Sequence, residues 1–384
     1  MQAFSFKTPK SISVEWGGAG KLGDRLGMAY SARNVLIVTD GGLHKLGLLE
    51  TAKDSLRAAG FGVTVFDQVV ADPPESVIFD CVAAGKAAGA EIVIGFGGGS
   101  SLDAAKLVAI LLKGDQPLSE MFGIDNVAGD RTPLILVPTT AGTGSEVTNI
   151  SIVTTGETTK MGVVSDQLYA DEVLLDAELT IGLPASITAA TGIDAMVHAI
   201  EAYTSAHKKN PLSDNLAREA LRLLSSNIVT ACENGADRDA REAMLLGACL
   251  AGQAFANSPV AAVHALAYPL GGHYHIPHGL SNALMLLPVL NYNRSAAEDL
   301  YAELADVIAG EGEGDAAARC ERMIAKVKEL LDATNVPQRL RDVGVTKESL
   351  TVLASDAMLQ TRLLQNNPVE IELQDALALY QEAY

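Results

Sequence analysis

The first half of the chain alternates apolar runs with segments of helical periodicity. The runs are Asn34–Asp40, Gly62–Val69, Glu91–Phe96 and Pro133–Val137. The helices predicted between and after them are Leu46–Ala59, Ser76–Ala88 and Ser101–Lys113. Apolar runs without polar alternation are typical of strands that are buried on both faces of a parallel sheet, with helices as crossovers. The sequence therefore predicts an α/β domain that binds ligands at the carboxyl ends of its strands.

A glycine-rich loop, Gly95–Lys106, follows the third run. Three consecutive glycines and two serines lead into a helix that we expect to carry Asp103 in its first turn. Glycine lets a ligand approach the backbone, and the N–H groups of a helix N-terminus attract an anion. The loop therefore predicts a diphosphate site, and a plain glycine turn with a serine cap is the alternative.

Two further features lie at predicted strand ends. Pro138–Thr148 is rich in hydroxyls and glycines that suit a ribose or a phosphate, although such loops also form simple turns. Asp40 ends the first run and precedes two glycines. A carboxylate at this position can accept hydrogen bonds from an adenosine ribose and repels a 2′-phosphate. The alternative is that Asp40 only starts a turn.

The second half of the chain lacks strand-like runs and is rich in helical stretches of alanine and leucine. We predict the domain boundary at Leu183-Pro184, with Ser186 as the cap of the next helix. This gives an α/β domain over residues 1–182 and an all-α domain over residues 183–384. Gly310–Gly314 is expected to form an exposed loop in the second domain.

A carboxylate and an imidazole, Asp194 and His198, are four residues apart in the predicted helix Thr191–Tyr203. Residues at this spacing lie one turn apart on the same face, so the pair can bind one side of a metal ion. A surface Asp–His pair is the alternative.

A second metal-binding stretch lies further along the chain, because four of the seven histidines fall between His264 and His278. We predict a helix that starts with Ser258 as cap and Pro259 in its first turn, contains His264 and ends at Gly271-Gly272. One carboxylate and three imidazoles suit a divalent ion such as Fe²⁺ or Zn²⁺ and leave a position for water or a substrate oxygen. The further candidates in this stretch are His273 and His275.

The net charge and the composition limit the classes of partner that the protein can bind. The formal net charge of −19 disfavours nucleic acid and anionic membranes. The sequence has no apolar run of membrane-spanning length, and its start lacks the pattern of a signal peptide. The four cysteines show no CxxC spacing and are expected to be free thiols. We expect a cytoplasmic enzyme that binds neither nucleic acid nor membrane.

Four segments in order and spacing resemble the iron-containing (group III) alcohol dehydrogenase family over essentially the whole chain. They are GGGSSLDAAK, PTTAGTGSEVT, TGIDAMVHAIEAY and HALAYPLGGHYHIPHGLSNA. The resemblance implies an N-terminal dinucleotide-binding domain with a parallel sheet, a helical metal-binding domain, and an active site in the cleft between them. The implied activity is reversible hydride transfer between a small primary or secondary alcohol and NAD. We also expect a homo-oligomer, a dimer.

The resemblance also implies roles for individual residues. The implied metal ligands are Asp194, His198, His264 and His278. The implied diphosphate contacts are Gly98, Gly99 and Ser100, and the further cofactor contacts are Thr139, Thr140, Thr148, Lys160 and Leu179. Asp40 matches a position associated with a preference for NAD over NADP.

Two positions depart from the family pattern. Tyr268 stands where many members have a histidine near the nicotinamide, and a phenol is a weaker proton relay at neutral pH than an imidazole. The alternative for Tyr268 is that it only packs under the ligand helix. Asp72 stands where many members have asparagine, so that an acidic group is expected to weaken or reposition the cofactor contact.

Related functions occur on the same scaffold. They are those of zinc glycerol dehydrogenases, maleylacetate reductases and hydroxyacid–oxoacid transhydrogenases. Outside catalysis, the alternatives are a nucleotide-binding sensor and a metal-storage protein. The complete set of one aspartate and three histidines favours a metal-dependent alcohol dehydrogenase.

Overall fold

The computed structural model describes residues 3–156 and 159–384. It divides into two compact units. The α/β unit consists of Thr8–Thr140 and Ser145–Ile181, and the helical unit consists of Gly182–Tyr384, Ala141–Gly144 and the described part of Met1–Lys7. Within the helical unit, a Cβ atom on Gly144 would lie 2.5 Å from Cα of Gly252, so that glycine is needed for this close approach.

The α/β unit contains the strands. Those described are β1 (Ile12–Val14), β2 (Asn34–Asp40), β3 (Gly62–Val69), β4 (Ile92–Gly97), β5 (Gly123–Ile124), β6 (Leu134–Pro138), β7 (Ile150–Thr155), β8 (Thr159–Val164) and β9 (Glu172–Leu175). Six of them form a sheet in the order β1-β9-β6-β4-β2-β3, and every neighbouring pair is parallel. The prediction of a parallel sheet is confirmed.

Helices flank the sheet in the α/β unit and make up most of the helical unit. In the α/β unit they are α1 (Leu22–Ala29), α2 (Gly41–Lys45), α3 (Glu50–Ala58), α4 (Glu75–Ala87) and α5 (Gly99–Leu111). In the helical unit they are α6 (Ala185–Thr204), α7 (Pro211–Glu233), α8 (Arg238–Asn257), α9 (Ala262–Tyr274), α10 (His278–Ala309), α11 (Ala316–Ala333), α12 (Leu350–Ala357), α13 (Thr361–Leu364) and α14 (Leu373–Ala383). Gly310–Gly314 is the predicted exposed loop, between α10 and α11.

The core of the α/β unit explains why the apolar runs become strands. Ile37, Ile94 and Val137 are fully buried on three adjacent strands and belong to one apolar cluster with Leu26 of α1 and Leu56 of α3. Complete burial of a side chain of this size contributes roughly 1.5–3 kcal/mol. The cluster therefore holds the central strands, and with them their carboxyl ends, in a fixed register.

The predicted helix Leu46–Ala59 is shorter than expected, since α3 begins only at Glu50, and the separate helix α2 precedes it. Asp40 starts α2 early, because its Oδ1 accepts hydrogen bonds from the N–H groups of Gly42 (2.9 Å) and Leu43 (3.0 Å). The chain then turns at Gly47, whose φ of 74° lies in the left-handed region, before α3 begins.

Three predicted helix ends in the helical unit are wrong. Pro184, not Ser186, occupies the N-cap position of α6. Ser258 ends α8 instead of starting the next helix, because its hydroxyl donates to the carbonyl oxygen of Ala202 (2.7 Å). The next helix, α9, passes through Gly271-Gly272 and stops only where His275 takes a φ of 53°.

A second, three-stranded sheet was not predicted from the sequence. β7 pairs with β8 in antiparallel fashion, and β5 pairs with β8 in parallel. This sheet carries Lys160, which lies opposite Thr154 in the register. Across the described residues, no helix by itself has both the length and the apolar composition of a membrane span.

Candidate metal centre and cofactor site

Helix α6 places a carboxylate and an imidazole one turn apart in the interior of the helical unit. Asp194 is 1% exposed and His198 is 3% exposed, so the alternative of a surface pair is excluded. The face of α6 that carries them packs within the unit, because Ile193, Val197 and Ile200 are buried as well. The pair is therefore a buried polar group that needs partners.

Two more helices supply those partners. His264 is buried near the start of α9, and His278 is the first residue of α10. The neighbouring Gly279 makes the approach of α10 possible, because a Cβ atom there would lie 2.5 Å from the carbonyl oxygen of Ala190 on α6. Any other residue at this position would push His278 away from Asp194.

The four side chains converge on one small space. Oδ1 of Asp194 lies 3.8 Å from Nε2 of His198, 3.9 Å from Nε2 of His264 and 3.7 Å from Nε2 of His278. All four ligand atoms are within 4.8 Å of one another. The three distances from Oδ1 of Asp194, taken as edges of a tetrahedron, correspond to bonds of about 2.3 Å, close to the 2.0–2.2 Å found for nitrogen and oxygen ligands. The donor set therefore fits a divalent metal ion.

The protonation states also suit a metal ion. Burial lowers the pKa of His198 to about 3, which keeps the ring neutral and its lone pair available. Burial by itself would raise the pKa of Asp194, but His198 and the other two histidines lower it more, so that the net shift is downward and the carboxylate is ionised.

Asn282, which the sequence analysis did not single out, holds the carboxylate in place. Its Nδ2 donates to Oδ1 of Asp194 (2.5 Å) and lies 3.2 Å from Nε2 of His264 and 3.3 Å from Nε2 of His278. The signal available in the sequence was its position four residues after His278 on the same helix. Since one nitrogen atom lies within 3.3 Å of Oδ1 of Asp194 and of Nε2 of both His264 and His278, these three ligand atoms face a common point.

The two other candidate histidines are not part of this cluster. His273 is half exposed, and its Nε2 lies 2.5 Å from Oδ2 of Asp356. His275 is the left-handed residue that ends α9. They therefore belong to the end of the helix and not to the ligand set.

Aromatic rings border the metal cluster. The ring of Phe255 stacks on that of His198 with centroids 4.4 Å apart, and the ring of Tyr268 is tilted against that of His278 at 6.0 Å. Phe255 and Tyr268 also pack against the apolar cluster formed by Val260, Ala265 and Leu363. The surroundings of the ligand rings are thus largely apolar.

In the α/β unit, three predicted cofactor residues lie at one edge of the sheet. Asp40 is the last residue of β2, and Gly98 and Thr139 directly follow the neighbouring strands β4 and β6. The N–H of Thr139 donates to the carbonyl oxygen of Gly97 (3.0 Å), which ties two of these loops together. This is the edge where parallel sheets bind ligands.

The glycine-rich loop leads directly into α5. Gly98 is the N-cap residue and Gly99 begins the helix, so that Asp103 lies beyond the first turn and not within it. A Cβ atom on Gly98 would make only ordinary van der Waals contact with the side chain of Thr140, at 3.7 Å. Gly97 is the strained position, since its φ is 151°. The arrangement suits an anion at the start of α5.

Asp72 lies between two of the predicted cofactor residues. Its backbone N–H points to Oγ of Ser100 (3.4 Å), and its carboxylate forms an ion pair with Lys160, with Nζ and Oδ1 2.8 Å apart. Its φ of 50° is one that aspartate and asparagine tolerate best among residues with a side chain. The acidic group therefore engages Lys160 within the protein itself.

Two predicted cofactor residues have structural contacts of their own. The hydroxyl of Thr148 accepts a hydrogen bond from Nζ of the fully buried Lys106 (3.1 Å), which also donates to Ser145 and Asp103. Leu179 packs against the apolar core of the α/β unit. Their roles as cofactor contacts remain predictions.

An α/β unit and a helical unit with a cluster of three histidines and one aspartate form the arrangement expected of a metal-dependent dehydrogenase. Two family models match the chain. Residues 9–177 match the family model "Iron-containing alcohol dehydrogenase", and residues 188–384 match "Fe-containing alcohol dehydrogenase family, C-terminal". The chain therefore belongs to the iron-containing alcohol dehydrogenase family, and the predicted family and oxidoreductase class are confirmed.

Relatives match along the whole chain. Long-chain-alcohol dehydrogenase 1 of Geobacillus thermodenitrificans is 40% identical over 98% of this chain and 95% of its own. The crystal structure of a 1,3-propanediol oxidoreductase superimposes with a TM-score of 0.96 at 34% identity and covers 100% of both chains. Sulfoacetaldehyde reductase of Bifidobacterium kashiwanohense, solved with NAD⁺, superimposes with a TM-score of 0.89 at 27% identity over 100% of this chain and 99% of its own.

The first prediction concerns the metal cluster. His264→Ala removes one of four converging ligand atoms, so metal affinity should fall by more than about 100-fold. The α/β unit should stay folded, because the substitution lies in the other unit. Metal content after dialysis, measured by mass spectrometry, provides the readout. His273→Ala on the same helix is the control and should keep wild-type metal content, whereas full metal retention by His264→Ala would contradict the assignment.

The second prediction concerns a buried carboxyl in the loop Pro138–Thr148. Burial raises the pKa of Glu146 from its ordinary value of 4.5 to about 7. Between these two pH values the folded protein keeps the proton on Glu146, whereas the unfolded chain has lost it. The free energy of unfolding therefore falls as the pH rises through 7, where the buried carboxyl must ionise. Glu146→Gln cannot lose that proton.

Glu146→Gln should therefore be nearly neutral at pH 4.5 and more stable than wild type above pH 8, by an amount on the order of 1–3 kcal/mol. Urea unfolding at the two pH values measures the difference in the free energy of unfolding. An equal difference at both values would contradict the burial argument.

Proposed function

We propose that this chain is an NAD-linked alcohol dehydrogenase in which four residues hold a divalent metal ion, Fe²⁺ in preference to Zn²⁺. The proposed ligands are Asp194, His198, His264 and His278. The observation that carries the proposal is the convergence of their four ligand atoms, all within 4.8 Å of one another, in the interior of the helical unit. An ionised carboxylate and neutral imidazoles are the states that bind such an ion.

The proposed NAD site lies in the α/β unit. The start of α5 at Gly98, Gly99 and Ser100 offers backbone N–H groups to the diphosphate. Asp40 caps α2 with Oδ1 alone, so its other carboxylate oxygen is proposed to accept a hydrogen bond from the adenosine ribose. The further proposed contacts are Thr139, Thr140, Thr148, Lys160 and Leu179. The NAD⁺ complex of a structural relative supports this cofactor.

The proposed reaction is reversible oxidation of an alcohol. When bound, the metal ion supplies a Lewis acid that lowers the pKa of the alcohol, and NAD⁺ supplies the hydride acceptor. The protein contributes position and protonation state. Asn282 donates to the carboxylate of Asp194 and restricts its orientation, and burial keeps His198 neutral. The side chain of His278 is 37% exposed, so the substrate oxygen is proposed to approach on its side.

The substrate is proposed to be a small, uncharged primary or secondary alcohol. The surroundings of the ligand rings are apolar because they contain Phe255 and Tyr268, which pack against Val260. A charged substrate would lose its hydration there without compensation, which is unfavourable. The relatives named for long-chain alcohols and 1,3-propanediol support an uncharged alcohol. Activity as a glycerol dehydrogenase, a maleylacetate reductase or a transhydrogenase is not favoured.

The enzyme is further proposed to work in the cytoplasm as a homodimer. None of the four cysteines forms a disulfide, which supports a reducing compartment. Strand β1 is at the edge of the six-stranded sheet and exposes Val14, which makes this edge a suitable surface for a second copy. Light scattering of the purified protein gives its mass in solution.

The test of the function uses purified protein loaded with Fe²⁺ under argon, NAD⁺ and a series of alcohols. The series contains straight-chain primary alcohols, 2-propanol, 1,3-propanediol and glycerol, and the reverse direction is tested with the aldehydes and with sulfoacetaldehyde. We expect NADH to form with uncharged alcohols and the anionic aldehyde to be a poor substrate. A flat absorbance with every alcohol would contradict the proposal, and a preference for sulfoacetaldehyde would contradict the substrate class.

A third prediction concerns the choice of cofactor. Asp40→Gly should raise the kcat/KM for NADP⁺ relative to NAD⁺ by roughly 5- to 30-fold, the equivalent of about 1–2 kcal/mol for one charged hydrogen bond and one repulsion. Asp40→Asn is the matched variant, since it keeps an acceptor for the helix cap and removes only the charge. Equal efficiency of the wild-type enzyme with the two cofactors would contradict the assignment of Asp40.

A fourth prediction concerns Tyr268. Its ring makes the contacts described above, with His278 and with the apolar cluster of Val260, Ala265 and Leu363. Tyr268→Phe keeps that ring and almost all of its volume, so turnover should stay within about twofold and metal content should not change. Steady-state rates between about pH 6 and 10 provide the measurement. A lower turnover with a shifted pH profile would instead identify the phenol as a proton relay.

A further inference from the structure

Glu201 is a buried carboxylate that is not one of the four proposed metal ligands. It lies on α6, three residues after His198, and its side chain is 6% exposed. Burial of a carboxylate is unfavourable unless hydrogen bonds satisfy its oxygens. Each oxygen of Glu201 has such a partner, and both partners belong to α9.

The first oxygen caps a neighbouring helix. Oε1 of Glu201 accepts a hydrogen bond from the backbone N–H of Val263 (2.7 Å). This N–H lies in the first turn of α9, where the carbonyl groups of the helix itself cannot reach it. Ala261, at the N-cap position of α9, has no side-chain oxygen to offer. A residue of α6 therefore supplies the cap that the sequence of α9 lacks.

The second oxygen determines which ring nitrogen of His264 carries the proton. Oε2 of Glu201 lies 2.6 Å from Nδ1 of His264. A carboxylate accepts hydrogen bonds, so Nδ1 is the donor and carries the ring proton. Nε2 then carries a lone pair instead of a proton, and it accepts from Nδ2 of Asn282 (3.2 Å). Nε2 is also the atom that lies 3.9 Å from Oδ1 of Asp194 in the ligand cluster. The imidazole is thus in the tautomer that binds a metal ion.

We infer that Glu201 is a positioning residue of the metal centre, which sets the tautomer and orientation of His264 and fixes the start of the helix that carries it. This inference rests on the proposed role of His264 as a ligand. Since one carboxylate holds both the ring and the backbone next to it, rotation of the ring and fraying of α9 are opposed by the same group.

Glu201→Gln separates these two contributions. The amide oxygen of glutamine still accepts from the N–H of Val263, but its NH₂ group then faces Nδ1 of His264. That contact favours the tautomer whose proton is on Nε2, the atom needed for the metal ion. Glu201→Ala removes both contacts. Asp356→Asn is the matched control, because it alters a carboxylate–histidine contact with His273 on the same helix but outside the ligand cluster.

The experiment measures two properties of each full-length protein. The dissociation constant for Co²⁺ is determined by titration against a competing chelator. The tautomer of His264 in the metal-free protein is read from its ring ¹⁵N chemical shifts after selective histidine labelling, with His264→Ala used to assign the signal. Thermal unfolding of the metal-free proteins shows whether each variant is folded.

We expect Nδ1 to carry the proton in the wild type and Nε2 to carry it in Glu201→Gln. Metal affinity should fall by roughly 10- to 100-fold in Glu201→Gln, with a melting temperature close to that of the wild type, and Asp356→Asn should match the wild type in both properties. Glu201→Ala should also lower the melting temperature. Wild-type affinity together with an unchanged tautomer in Glu201→Gln would overturn the inference.

A failure of the proposed function has a different signature. In that case His264→Ala would bind Co²⁺ as tightly as the wild type. The ¹⁵N measurement on the metal-free wild type would still decide the role of Glu201, because a proton on Nε2 would overturn the inference and a proton on Nδ1 would support the positioning of the ring.

Discussion

The carboxylate of Asp194 is the group on which the arrangement of the helical unit depends. It is buried, and histidines from α6, α9 and α10 place their Nε2 atoms 3.7–3.9 Å from one of its oxygens. A buried anion among neutral rings is unfavourable without a cation. Three helices therefore meet at a position whose donor set fits a divalent ion, and a metal site accounts for the polar groups in an alanine- and leucine-rich interior.

The same logic applies to the residues that surround the cluster. Gly279 lets α10 approach α6, and Glu201 holds the first turn of α9. In the α/β unit the fully buried Lys106 is compensated in a similar way, by oxygens of Asp103 and Ser145 among others. Glu201 in the helical unit and Lys106 in the α/β unit are thus buried charges whose hydrogen bonds connect segments that are far apart in the sequence.

The features that depend on local pattern were predictable. The bounds of β2 and β3 agree with the predicted runs. β2 is a buried central strand and leaves an uninterrupted apolar signal, whereas β3 lies at the edge of the sheet and is marked by its β-branched and aromatic residues. Asp194 and His198 were found from their spacing on a helix. The clustering of histidines indicated the stretch that holds His264 and His278, with His273 and His275 as further candidates. The resemblance to a family selected the two ligands, since nothing in their spacing determines how α9 and α10 meet.

The features that depend on tertiary contacts were not predictable. Ser258 has the residue type of a helix start, but a carbonyl group of α6 takes its hydroxyl and it ends α8 instead. Glu201 appeared only as part of a motif, because its partners on α9 are brought to it by the fold. The antiparallel pair of β7 and β8 was not predicted because its strands mix polar and apolar residues and are only partly buried.

The central claim is that one carboxylate and three imidazoles bind the metal ion. X-ray absorption at the iron K-edge of the Fe²⁺-loaded protein tests it most directly. The account predicts a first shell of nitrogen and oxygen atoms alone at about 2.0–2.2 Å, with the multiple-scattering features of three histidine rings. A sulfur atom in the first shell, or features of fewer than three imidazoles, would contradict it.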